Sequence, residues 1–139
     1  MITAQNTVNA PIDKVWEIWT TPKHIMKWNI PSADWHNPYV ENDLKVGGKF
    51  KFVMAAKDES VAFDFEGIYT KIEKFSLIEY RLYDNRTASI CFEIIDDKVK
   101  ITEKFEPQKE DSESMQEEWC QAVIDNFKKY VEANDNSNY

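Results

Sequence analysis

Residues 114–132 carry the pattern that most constrains the fold. Met115, Trp119, Val123, Phe127 and Tyr130 or Val131 recur at three- and four-residue spacing, and Cys120 and Ile124 widen the stripe. This spacing predicts one long helix with a single broad apolar face. Such a helix must lay that face on a partner of similar size. The preceding residues offer one. His36–Asn42 reads as a strand, and Phe50, Phe52 and Met54 then alternate with Lys49, Lys51 and Val53. Phe63, Phe65, Gly67 and Tyr69 share a face opposite Asp64, Glu66 and Ile68. Ile78, Tyr80 and Leu82, then Ile90, Phe92 and Ile94, then Val99, Ile101 and Phe105 repeat the alternation. Lys57–Ser60, Asp84-Asn85-Arg86 and Asp96-Asp97 read as turns between them. Short strands joined by polar turns predict an antiparallel meander. Ile72 and Phe75 break the phase of the Phe63–Tyr69 strand, which places a bulge near Thr70-Lys71.

The N-terminal third has a different rhythm. Residues 2–9 read as a first strand. Asn9 suits a helix cap with Pro11 in the first turn, and Ile12, Val15, Trp16 and Trp19 predict a helix over 11–20. Thr21-Pro22 restarts the chain as a second short helix carrying Ile25, Met26 and Trp28, and Ile30-Pro31 ends it. Residues 32–35 read as loop. The fold class is therefore α+β: a curved antiparallel sheet around a long C-terminal helix, with two short helices after the first strand. One domain over 1–134 is expected, with a frayed tail at 135–139.

The chain has three glycines. Gly47 and Gly48 sit where a turn opens the Phe50–Met54 strand. Gly67, alone inside a strand, marks a place where a side chain is omitted so that something lies close. The terminal helix, at Trp119 or Val123, is the expected neighbour.

Composition narrows the function. Net charge is −8, from 25 acidic and 17 basic residues, so a nucleic-acid partner or an anionic membrane surface is disfavoured. No apolar run approaches the roughly 18 residues of a membrane span, and no basic and apolar leader is seen, so a cytoplasmic location is expected. Cys91 and Cys120 read as reduced, buried packing residues. Two histidines and two cysteines without metal-ligand spacing give no metal site, and no cofactor fingerprint appears. Five Trp, six Tyr and eight Phe are enough both to fill a core and to line a pocket.

Ala10–Trp16, Thr21-Pro22 with Trp28, Asp43–Phe50 around Leu44-Lys45-Val46-Gly47-Gly48, Glu66–Tyr69 and Trp119, in this order, resemble the helix-grip fold of the START/SRPBCC superfamily. Within it the likeness is to the family of activator-of-heat-shock-protein-90-ATPase-homologue-like proteins. The resemblance spans residues 2–132 and implies a hydrophobic cavity between sheet and long helix. The eukaryotic activator carries a further N-terminal domain that supplies much of its chaperone binding. The first strand here opens at residue 2, ahead of which such a domain is not expected.

By face, the expected cavity residues are Trp19, Trp28, Phe50, Phe52, Met54, Phe63, Phe65, Tyr80, Ile90, Phe92, Trp119, Val123 and Phe127. Glu103 shares the face of Val99, Ile101 and Phe105, so it either meets a ligand's polar end or reaches water at the strand end. Tyr69 and Tyr80 offer hydroxyls. His36, with Trp35, falls near the expected mouth, and His24 reads as surface. Glu110, Asp111, Glu113, Glu117 and Glu118 complement the dipole at the start of the last helix. The leading expectation is binding of a small apolar or aromatic molecule. The alternatives are a cyclase- or hydrolase-like enzyme acting on a cavity-bound substrate, with Glu103, Tyr80 or His36 as its polar groups, and a chaperone-linked or homodimeric interaction protein.

Overall fold

Alternation in the middle of the chain and helical spacing at its ends produce the expected elements. The structure, a computed structural model, describes residues 1–133. They form β1 (Ile2–Val8), α1 (Ile12–Thr20), α2 (Pro22–Trp28), β2 (Trp35–Asn42), β3 (Lys49–Ala56), β4 (Ala62–Glu73), β5 (Leu77–Leu82), β6 (Thr87–Ile95), β7 (Lys98–Phe105) and α3 (Glu113–Ala133). The expected domain limit at 134 and the tail at 135–139 lie outside the described residues.

The seven strands make one antiparallel sheet in the order β1-β7-β6-β5-β4-β3-β2. β2 to β7 form the meander, and β1 adds to its far edge. The two edge strands are thus neighbours in sequence, joined by α1 and α2. That short helical bridge spans the sheet because the sheet curls into a half-barrel. α3 lies in the curl, with Ile124, Phe127 and Val131 fully buried. The register of β4 against β5 shifts between Tyr69 and Lys71, at the expected bulge.

Local chemistry fixes the ends of these elements. Pro22 opens α2 at its first helical position. Asn9 does not cap α1: Pro11 holds the cap position, and the Asn9 backbone N–H donates instead to the Glu132 carboxylate at 2.8 Å. Ser112 caps α3, its Oγ accepting from the Met115 N–H at 3.1 Å. β2 begins one residue earlier than expected, at Trp35.

The glycine pair is tied to β4. Gly47 has φ +84°, its N–H donates to the Tyr69 carbonyl at 2.8 Å, and the Tyr69 N–H donates to the Gly48 carbonyl at 3.0 Å. Gly67 has another neighbour than the one its sequence suggests. A Cβ there would stand 2.6 Å from the Arg81 carbonyl oxygen of β5 and 2.8 Å from Phe50 Cζ. The omitted side chain makes room for the Phe50 ring across the strand, not for α3.

Two further expectations are corrected. Cys91 is exposed, because Ile90 and Phe92 point inward and strand alternation turns the residue between them out. Ile94 follows the inward parity but is 61% exposed at the end of β6, where the strand runs into its turn.

Candidate functional site

The inner face of the sheet and α3 enclose a cavity of about 440 Å³. Phe50, Phe52 and Met54 of β3, Phe63, Phe65 and Tyr69 of β4, and Ile78, Tyr80 and Leu82 of β5 form its broad wall. Ala88 and Ile90 of β6 and Glu103 and Phe105 of β7 continue that wall. Trp119, Cys120 and Val123 of α3 face it, and Trp19, Ile25 and Trp28 close the floor. Arg86, Thr87, Glu106, Gln108, Asp111, Met115 and Gln116 stand at the mouth. Register sets the rim: the Phe63 end of β4, the Leu82 end of β5, the Thr87 end of β6 and the Phe105 end of β7 lie on one side of the sheet, and Met115 and Gln116 from the start of α3 line the cavity with them.

The rings are mutually braced. Phe50 lies 5.1 Å from Tyr80, 5.0 Å from Tyr69 and 5.8 Å from Phe65 between ring centroids. Trp19, Trp28 and Phe127 form a triad with centroids 4.7–4.9 Å apart. The Trp28 Nε1–H donates to the Ile18 carbonyl at 2.8 Å, which fixes that ring. At the rim Trp35 packs on Trp119 at 4.7 Å and on Phe63 at 6.1 Å, linking the sheet edge to α3.

The structure therefore brings all but two of the residues singled out by face to one cavity. Phe92 and Phe127 are the two that do not line it. Phe92 packs against Trp16 at 5.2 Å and Trp19 at 5.7 Å, and Phe127 is sealed between Trp19 and Trp28. His36 is exposed on β2 and reaches no cavity group, and the His24 Nδ1 pairs with the Tyr130 hydroxyl at 2.7 Å, which joins α2 to α3. Sequence reasoning placed Met115 on the apolar stripe and Asp111 in the acidic cluster without assigning either to a mouth, and Arg86, Glu106 and Gln108 fall in turns and loops, which carry no alternation. Ala88 was legible by its parity with Ile90 and Phe92.

Two polar groups inside the cavity stand apart from the rest. Glu103 accepts from the Cys120 thiol, and burial pushes its carboxyl up to about 7. Burial and the nearby Glu103 charge push the Cys120 thiol upward. Burial, then the charges of Glu103 and Cys120, push the Tyr80 phenol up as well. The Tyr69 hydroxyl is bonded to Asn42 Oδ1, whose amide donates to the Thr20 carbonyl at 2.7 Å. Tyr80, 8% exposed, has no hydrogen-bond partner among the described residues. Among the described residues every fully buried side-chain N or O is satisfied, so the Tyr80 hydroxyl opens onto the cavity.

The mouth is already paired. Arg86 Nε donates to Asp84 at 2.7 Å. The Thr87 Oγ1–H donates to Glu106 at 2.6 Å, a bond that holds the Glu106 carboxyl below the ordinary range. The Gln116 amide donates to the Gln108 and Asp111 carbonyls at 3.0 and 3.1 Å. Among the described residues no cluster of His, Cys, Asp and Glu is arranged to hold a metal, and no helix is long and apolar enough to cross a membrane.

Comparison with known proteins agrees with this architecture. Residues 9–132 match the family described as Activator of Hsp90 ATPase homolog 1-like protein. No curated protein matches the chain. A solution structure from Cytophaga hutchinsonii is 44% identical, with a TM-score of 0.83 over 96% of this chain and 92% of that one. An AHSA1-like protein from Aeromonas hydrophila is 33% identical, with a TM-score of 0.86 over 96% of this chain and 94% of that one. A crystal structure from Nitrosomonas europaea shares the fold at 17% identity, with a TM-score of 0.81 over 96% and 94% of the two chains. Half-barrel, gripped helix and matched sequence together place this chain in the Activator of Hsp90 ATPase homolog 1-like family of the START/SRPBCC superfamily.

Proposed function

We propose that this chain binds a small, mainly apolar molecule with an aromatic-sized body in the cavity between the sheet and α3. The observation that carries this reading is a ring-lined space of about 440 Å³ holding an unpartnered tyrosine hydroxyl and a carboxyl. Small-molecule sites run to roughly 300–1,000 Å³, with apolar walls and a few polar groups that orient the ligand. A filled core would have no use for Glu103 and Tyr80 on its inner wall, since a carboxyl met by one weak thiol donor and a hydroxyl with no partner each cost free energy there. Two free thiols, Cys91 and Cys120, fit a reducing, cytoplasmic setting. Native mass spectrometry against lipid and aromatic libraries, followed by amide chemical-shift mapping of any hit, tests the reading. Shifts at Tyr80, Glu103 and Cys120 are expected; hits that move only surface residues would sink it.

A second reading has one observation in its favour. Glu103, held near 7 beside Tyr80, is suited to exchange a proton with a bound substrate at neutral pH. Turnover of any cavity ligand that disappears in Glu103→Gln would support it. A chaperone-linked role rests on the family description alone.

A further inference from the structure

The charge arrangement of the cavity goes further than its shape and narrows the class of ligand; this step rests on the binding function just proposed. We infer that the preferred occupant carries one protonated amine on an aromatic or alicyclic body, the ammonium held between the Glu103 carboxylate and the Tyr80 hydroxyl oxygen.

The two groups flank β6 on the inner face. Tyr80 pairs with Ala88, and Ile90 pairs with Glu103. Ala88 is the small residue between them, and it leaves a gap where larger inward residues occupy the same strand. Glu103 has accepting capacity left over, because a single thiol is a weak donor and a carboxylate offers about four lone-pair sites. Tyr80 leaves its oxygen free. A primary ammonium has three donors and no acceptor, which is the complement of this pair.

The surroundings discriminate against other heads. The titratable groups facing Glu103 are Tyr80 and Tyr69 from the sheet, Cys120 from α3, and Arg86, Glu106 and Asp111 at the mouth; α1 and α2 add only Trp19, Ile25, Trp28 and Asn29. Among the described residues no lysine or histidine lines the cavity. Its one cation, Arg86, is engaged by Asp84. An anionic ligand would meet Glu103, Glu106 and Asp111 with no free counter-charge. A cation meets these carboxylates among the lining rings of Phe50 and Phe65, whose centroids lie 5.1 and 5.9 Å from that of Tyr80.

Naphthylethylamine, naphthylethanol, naphthylacetone and naphthylacetic acid share one body and differ in the head. Their affinities for the full chain are measured by calorimetry at about pH 8 and about pH 5.5, in roughly 0.15 M salt to screen the overall negative charge. At the higher pH the amine is expected to bind about tenfold or more tighter than the alcohol, and the acid weakest. The advantage shrinks at the lower pH, where Glu103 takes up its proton. Glu103→Gln brings the amine-to-alcohol ratio close to one, and Tyr80→Phe lowers it by about threefold or more. The inference is overturned if the ketone or acid binds tightest, or if the ratio survives both substitutions. Equal binding of amine and alcohol overturns the charge selectivity alone. Binding by none of the four overturns the cavity-binding reading together with it.

Discussion

Replacing Glu103 by glutamine should change how stability depends on pH, with a sign that follows from burial. In the unfolded chain the carboxyl titrates near its ordinary 4.5, while in the cavity it is pushed up to about 7. Between these values the folded chain holds a proton that the unfolded chain has released. Stability therefore falls as pH rises through this window. The contribution is complete below about pH 4.5 and is lost above about pH 7. The gap corresponds to about 3 kcal/mol, since one pKa unit is worth about 1.36 kcal/mol. Water entering through the mouth screens part of this, so a change of about 1–3 kcal/mol is expected. Glutamine fills nearly the same space and does not titrate. Urea denaturation of both proteins at several pH values between about 5 and 8.5 gives the test. All other titrating groups cancel in the difference. The stability of Glu103→Gln relative to the parent should climb by about 1–3 kcal/mol over that range. Parallel pH profiles would show that Glu103 is not held in a low-dielectric cavity, and the reasoning would fail with them.

Other substitutions probe the frame and the void separately. Gly67→Val should cost about 1–3 kcal/mol, read as a lower melting temperature, because its Cβ meets Phe50 and the Arg81 carbonyl; a neutral result would remove the close packing assigned there. Tyr69→Phe breaks the bond to Asn42 and should cost about 0.5–1.5 kcal/mol, whereas Tyr80→Phe, which removes a hydroxyl with no partner, should leave the ligand-free protein at least as stable in a urea titration. Ala88→Leu should fill part of the cavity with a stability change under about 1 kcal/mol while abolishing ligand binding measured by calorimetry. A destabilisation above about 2 kcal/mol would mean that no space lies beside Ala88.

Most of the frame was readable because two periodicities, two and about 3.6 residues, separate cleanly along this chain. Phe50, Phe52 and Met54 face inward because lysines hold the outward positions beside them, and Trp19 and Trp28 follow from helical spacing. Alternation also gave Glu103 its face, but a face does not tell whether a carboxyl at a strand end meets bulk water or a void. That distinction depends on where α3 starts, and so on the loop from residue 106 to 112, which carries no periodic signal. Gly67 shows the same limit. A missing side chain announces a close approach, yet the approaching group is a cross-strand ring set by register, one residue of which would exchange Phe50 for Lys49 or Lys51. Phe92 and Phe127 have the same pattern as the lining residues and differ only in how deep along the curl they sit.

That depth divides the interior into two unlike halves. Around Phe127, the rings of Trp19 and Trp28 and the side chains of Ile124 and Val131 leave nothing open, and Trp16 and Phe75 continue the packing onto Phe92. Toward the mouth Ala88 of β6 and Cys120 and Val123 of α3 are the small inward residues, none long enough to reach across the curl, beside Ile90 and Trp119 of the same elements. Large residues on β3, β4 and β5 face these small ones, so the space between cannot collapse without bending the sheet that Gly67 and the Tyr69 bulge hold in shape. A domain of this size has only a narrow margin of stability, and a ring-lined void with an unpaired hydroxyl draws on it. The filled half supplies that margin. The arrangement is stable because the costly groups, Glu103 and Tyr80, are confined to the half where Ala88, Cys120 and Val123 leave space opposite the large rings, and a bound molecule that filled the void and engaged both would stabilise the whole chain in proportion to its affinity.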